Sequence, residues 1–212
     1  MIQSAITLAH KVHKVYRIHL ALLNLLTVLY IYVTVQKNRK MNGKNNTTTK
    51  QLALVLIDMQ SMFLTEAKES IIPNQVEILK FYNNQNTHLV VIESTGYGST
   101  HHLLENEIAK FKAPFVQRVS KHASDGFSNQ KLHTYLQQKS ITDLLLMGIN
   151  GCACVWATAY SALGRGYTIR TSKDLLHGFC SQECAQEMYG WYGKVGIFEN
   201  CHEKLLTNEL VA

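Results

Sequence analysis

From Leu52 onward, apolar and polar positions fall into alternating blocks. Leu52-Ala-Leu-Val-Leu-Ile-Asp58 is an unbroken apolar run ending on a carboxylate, the pattern of a strand buried on both faces. Between Glu69 and Asn84 the apolar residues Ile72, Val76, Leu79 and Tyr82 recur close to the helical period. His88-Leu-Val-Val-Ile92 predicts a second buried strand. Thr100 to Phe111 reads as a helix with Thr100 as its cap, and Phe115 to Lys121 as a third, more polar strand. Ser128 to Gln138 predicts a helix with Ser128 at the N-cap. Asp143 to Ile149 is a fourth strand, and Cys154 to Leu163 a helix closed by Gly164 and Gly166. Tyr167 to Thr171 is a fifth strand, Gln182 to Tyr192 a helix, and Val195 to Phe198 a weaker sixth strand.

Repeated strand–helix–strand units predict a three-layer α/β domain over residues 52–212, with a mostly parallel, Rossmann-type six-stranded sheet and helices on both faces. In such sheets ligands bind at the carboxyl ends of the strands. Asp58, Lys121 and the stretch after Ile149 all fall at such ends.

The first 51 residues follow a different pattern. Residues 1–17 are basic, and Ile18 to Gln36 holds no Asp, Glu, Lys or Arg, close to the length of a membrane-crossing helix. Tyr30 and Tyr32 sit near one end of it, and basic residues flank both ends. Residues 37–51 read as a polar linker. A membrane anchor through residues 18–36 is one reading. The other is a soluble cytoplasmic protein whose translation starts at Met41.

Charge sharpens this division. The whole chain has 21 bases and 15 acids, a net +6. Eight of those bases and none of the acids lie in residues 1–50, so the remaining 162 residues carry 13 bases and 15 acids, net −2. The folded domain therefore lacks the basic face expected of a nucleic-acid binder. Five cysteines, an odd number in a chain too long to need disulfide staples, fit a reducing compartment. Cys180 and Cys184 lie four apart, but no second pair completes a zinc ligand set, so no metal is expected.

Three residues at the strand ends carry candidate chemistry. Asp58 closes an apolar strand, where a carboxylate needs a partner, a function or a capping role. Lys121 ends the third strand, where lysine ordinarily faces solvent but could also hold Asp58 and favour a nearby thiolate. Cys154 opens a helix, and helix N-terminal N–H groups and dipole lower a thiol's pKa and stabilise an oxyanion. A small buried core cysteine is the plainer alternative, and Cys152 is the rival nucleophile. Gln60, Phe63, Tyr97, Phe127 and Trp156 are candidate substrate contacts, with core packing the alternative for each.

Leu54-Val-Leu-Ile-Asp-Met-Gln60 followed by Phe63, then Lys121 with Phe127, then Gly148-Ile149, Cys154-Val155, Thr158-Ala159, Ala162 and Gly166-Tyr167 together resemble the isochorismatase-like cysteine hydrolase family over about residues 52–200. The resemblance puts the nucleophile on Cys154. It implies Asp58 as general base, Lys121 as orienting cation, and a cis peptide between Ile149 and Asn150 that aims the N–H groups of Asn150 and Cys154 at an oxyanion. It implies attack on a small amide or ureide through a thioester, with no cofactor, in a homo-oligomer. Glu93, His101 and His102 lack the Asp-x-His spacing of metal-dependent nicotinamidases in that family. The alternatives are a vinyl ether hydrolase, which would not need Cys154 and should line its pocket with cations, and an inactive binding or scaffold member of the fold. Asp125-Gly126-Phe127 departs from the Ser-Ala-Phe of many members, which would widen the pocket or loosen its wall.

Overall fold

A computed structural model describes residues 51–83 and 85–207. The segments 1–17, 18–36 and nearly all of 37–51 lie outside the described residues, and with them the anchor reading. Among the described residues no helix is long and apolar enough to cross a membrane.

The strands are β1 (Leu52–Ile57), β2 (His88–Ser94), β3 (Val116–Lys121), β4 (Asp143–Gly148), β5 (Thr168–Ser172) and β6 (Ile197–Glu199). The helices are α1 (Glu66–Glu69), α2 (Ile72–Asn83), α3 (His102–Ile108), α4 (Gln130–Gln138), α5 (Cys154–Gly164) and α6 (Gln182–Val195). The strands form one six-stranded sheet in the order β3-β2-β1-β4-β5-β6, and every neighbouring pair is parallel. The order reverses between β1 and β4, the switch point beside which doubly wound sheets open a crevice. Asp58 and the turn leading to Cys154 leave the sheet there.

The apolar runs sit where continuous burial requires them. All six residues of β1 and all six of β4 are buried. Alternate residues face opposite helix layers. Leu52, Leu54, Leu56, Leu89, Val91, Leu145 and Met147 join Ile78, Leu79, Tyr82 and Leu104 of α2 and α3 in one core. A buried side chain of that size contributes about 1.5–3 kcal/mol relative to exposure. β1 and β4 close to contact at their ends. Gly148 has φ +143°, and a Cβ there would run into the Ile57 carbonyl, so only glycine fits.

Several boundaries moved. The expected helix from Glu69 divides at Ser70–Ile71 into α1 and α2. Asn129, not Ser128, caps α4, its side chain accepting from the Lys131 N–H at 3.0 Å. Its carboxamide also donates to the Ser120 carbonyl, and Ser128 belongs to a 3-10 turn over Gly126–Ser128. Thr100 is likewise not the cap of α3. His101 takes that place, and Thr100 pairs with Glu93 instead.

Candidate active site

Asp58 is the first residue beyond β1 and turns the chain with φ +53°, a left-handed conformation that Asp tolerates better than most residues. The turn aims its carboxylate along the sheet edge rather than into a helix cap. Oδ2 lies 2.8 Å from the Lys121 ammonium. Asp58 is 2% exposed and Lys121 1%, so the solvent-facing alternative for the lysine is overturned. An unpaired charge at such depth would be costly, which makes the pair the condition for burying either.

A third residue completes this cluster, and sequence reasoning missed it. Ser94 Oγ, at the end of β2, lies 3.0 Å from Asp58 Oδ1 and accepts from Lys121 Nζ at 3.1 Å. Lys121 also donates to the Ala123 carbonyl at 3.1 Å. β2 lies between β1 and β3, so its terminal side chain falls between theirs. The available signal was the register that this strand order implies.

Cys154 stands on the other side of the carboxylate. Its thiol is within hydrogen-bonding reach of both Asp58 and Lys121. Burial raises the thiol pKa, the hydrogen bond and negative charge of Asp58 raise it further, and Lys121 only partly opposes them. The expectation of a lowered pKa is therefore corrected. At rest the sulfur keeps its proton beside the acceptor that can remove it. The helix behind it still offers its dipole, since no side chain caps the first turn of α5. Thr158 anchors that turn, donating to the Cys154 carbonyl at 2.8 Å and accepting from the Gly126 N–H at 2.9 Å.

The Ile149–Asn150 peptide is cis. Backbone carbonyls of the described residues accept from neither the Asn150 nor the Cys154 N–H. The Asn150 carbonyl accepts from Ala153 and Val155 and so shapes the turn.

The thiol opens into a cavity of about 340 Å³ lined by Phe63, Ser94, Thr95, Tyr97, Lys121, His122, Ala123, Ser124 and Cys154. That is the size of a small-molecule site. Phe63 and Tyr97 stack at 4.3 Å between centroids and form its aromatic side. Thr95, His122, Ala123 and Ser124 were not singled out from the sequence, although they flank Ser94 and Lys121 directly.

Three expected substrate contacts do not line this cavity. Gln60 is fully buried, and its carboxamide is consumed by the Ser94 backbone and the Gly98 carbonyl. It pins the 94–98 loop and leaves no polar atom for a ligand. Phe127 packs on Tyr167 and lies under the Arg165 guanidinium, on the α4–α5 side of the sheet. Trp156 lies one turn face away from the thiol and packs against Tyr160 and Trp191. Gly126 neither widens nor loosens the pocket. A Cβ there would meet Ile92 Cδ1 at 2.7 Å, so the glycine lets this turn seat against β2 and α5.

These strands and this switch point agree with the comparisons. The chain belongs to the isochorismatase domain family, whose model matches residues 52–188. A curated relative, the uncharacterized isochorismatase family protein YddQ of Bacillus subtilis, is 24% identical over 143 residues, covering 58% of this chain and 75% of the relative. The nicotinamidase SaPncA of Staphylococcus aureus superposes with a TM-score of 0.64 at 20% identity, over 71% of this chain and 99% of that one. N-carbamoylsarcosine amidase of Thermoplasma acidophilum does so with a TM-score of 0.60 at 18% identity, over 70% and 95%.

Proposed function

We propose that this protein is a cysteine hydrolase that cleaves the C–N bond of a small amide or ureide. The carrying observation is the Asp58–Lys121 ion pair, 2.8 Å long and buried beside the Cys154 thiol at a small-molecule cavity. Asp58 takes the thiol proton as the sulfur attacks the carbonyl carbon, and that proton passes to the departing nitrogen. A thioester on Cys154 remains. Water, activated by Asp58, adds to it and releases the acid and the free thiol. Lys121, 2.8 Å away, holds the Asp58 side chain in position. The Asn150 and Cys154 N–H groups, with the dipole of α5, stabilise the oxyanion. Thiol, carboxylate, ammonium and water suffice for every step.

The cavity lining favours a neutral, polar, planar substrate. Its one lysine is already matched by Asp58, and the rest of its polar surface comes from hydroxyls and His122. A chorismate-like diacid would call for unmatched cations, so the vinyl ether reading is the weaker one. The likeness to a nicotinamidase and a carbamoylsarcosine amidase supports amides and ureides as the first compounds to test.

The test is a panel of small carboxamides and ureides assayed for ammonia or amine release, with intact-mass trapping of an acyl adduct. Turnover with an adduct mapped to the Cys154 peptide is expected. Undiminished turnover by Cys154→Ala would refute the thioester route.

A further inference from the structure

Behind the nucleophile, the fold gathers three thiols that no step of this reaction uses. Cys152 lies in the turn before α5, Cys180 in the segment ahead of α6, and Cys184 in the first turn of α6. Their sulfur atoms all lie within 4.8 Å of one another. The sequence offered Cys180 and Cys184 as two ligands without a complement. The missing ligand comes from the β4–α5 turn, which no spacing rule connects to them.

The two segments are locked together by contacts other than the sulfurs. The Gly151 N–H donates to the His177 carbonyl at 2.7 Å, and the Tyr192 hydroxyl donates to the Gly151 carbonyl at 3.4 Å. A Cβ on Gly151 would strike the Phe179 ring, and one on Gly178 would strike Asn150 Oδ1. Gly178 also has φ +80°, so the approach depends on both glycines. Ser181 fixes the first turn of α6 by accepting from the Cys184 N–H at 3.1 Å. The thiols are therefore held in place by backbone that is itself tightly constrained.

We propose that Cys152, Cys180 and Cys184 form a zinc site, with three thiolates and a fourth position filled by water. Zinc–thiolate bonds of about 2.3 Å in a tetrahedral site set the sulfurs about 3.8 Å apart. That requires a contraction of no more than about 1 Å from the present arrangement. Cys180 is exposed, which gives the ion a way in. Binding displaces three thiol protons to solvent and creates three Zn–S bonds, with no change of oxidation state. The ion would tie α6 to the turn that presents Cys154 and so act as a brace, leaving the reaction chemistry to the thiol.

The test uses the full-length chain, reduced, stripped by a strong chelator, and titrated with Co²⁺ and then Zn²⁺. One Co²⁺ per chain is expected, giving near-ultraviolet thiolate-to-cobalt charge-transfer absorption that Zn²⁺ abolishes. Loss of an outer-sphere partner typically weakens metal binding 10–100-fold, so removing a ligand in Cys180→Ser or Cys184→Ser should weaken it by at least about 100-fold. Cys201→Ser and Cys154→Ser should retain the band. Because Cys180 is exposed, stripped Cys180→Ser should melt with the stripped wild type, separating lost binding from lost fold. Absence of the band in wild type, its survival in both ligand variants, or its loss in Cys154→Ser would each overturn the site.

Discussion

Ser94 Oγ stands 3.0 Å from Asp58 Oδ1 and 3.1 Å from the Lys121 ammonium, bridging the two charges. It fixes the direction in which the carboxylate presents its second oxygen. Ser94→Ala removes a hydrogen bond to a charged group, worth about 1.5–3 kcal/mol. We expect a fall of about tenfold or more in kcat/KM, since about 1.4 kcal/mol is one decade. Thermal unfolding should change far less, because Asp58 and Lys121 remain paired. A drop in melting temperature that accounts for the lost activity would assign Ser94 to folding alone.

Asp58→Asn separates the two influences on the thiol. The proposed general base is lost, and hydrolysis should fall by about 10²–10⁴-fold. The negative charge that raises the Cys154 pKa is also lost, while the Lys121 ammonium stays. A thiolate then becomes the natural counterion for the buried lysine. Alkylation of Cys154 by iodoacetamide near neutral pH should therefore become faster than in wild type. In wild type, the raised pKa makes alkylation continue to increase with pH after an ordinary thiol has levelled off. Slower alkylation in Asp58→Asn would contradict this account of the site.

His202 makes stability depend on pH. Burial opposes its charge, but the hydrogen bonds its ring donates to the Asp174 and Glu77 carboxylates outweigh burial and raise its pKa above 6.5. A raised folded-state pKa gives stability that is fully present below the unfolded value and lost as pH rises through the folded one. The melting temperature should therefore decline as pH is taken upward from 6.5 through the folded-state pKa. His202→Gln should flatten that part of the profile. An unchanged slope in the variant would assign the dependence to another group.

The Arg170–Asp143 pair joins β4 to β5 at the opposite end of the sheet from the site, with contacts of 2.7 and 2.9 Å and both residues buried. Arg170→Met strands a buried carboxylate and should cost about 3–5 kcal/mol in denaturant unfolding. Arg170→Met with Asp143→Leu should recover much of that loss. Equal losses in the single and double variants would mean that packing, not charge, is what the pair supplies.

The sheet was legible because strands buried on both faces cannot hide their composition. Helix ends were less so. Asn129 displaces Ser128 because the cap is decided by which side chain the preceding 3-10 turn leaves free. Asp58 and Cys154 could be placed from strand and helix ends alone. The burial of Lys121 could not, since it depends on a carboxylate 63 positions earlier in the chain meeting it across β2. Gln60, Phe127 and Trp156 share the same difficulty. Each lies near a site residue in sequence, but the strand end or helix face directs its side chain elsewhere. Ser94 carried no signal of its own, because a serine ending a strand is ordinary until its neighbours are known.

The site residues are scattered in a way that ties reactivity to assembly. Asp58 follows β1, Lys121 ends β3 and Cys154 comes after β4, and β1 cannot gain its β4 neighbour until the chain has been made past Gly148. A nascent or partly unfolded chain therefore carries a cysteine with no base and no ion pair beside it. A thiol with this carboxylate beside it exists only once the sheet has closed, so a probe whose reaction with Cys154 requires Asp58 also counts the correctly assembled molecules in a preparation.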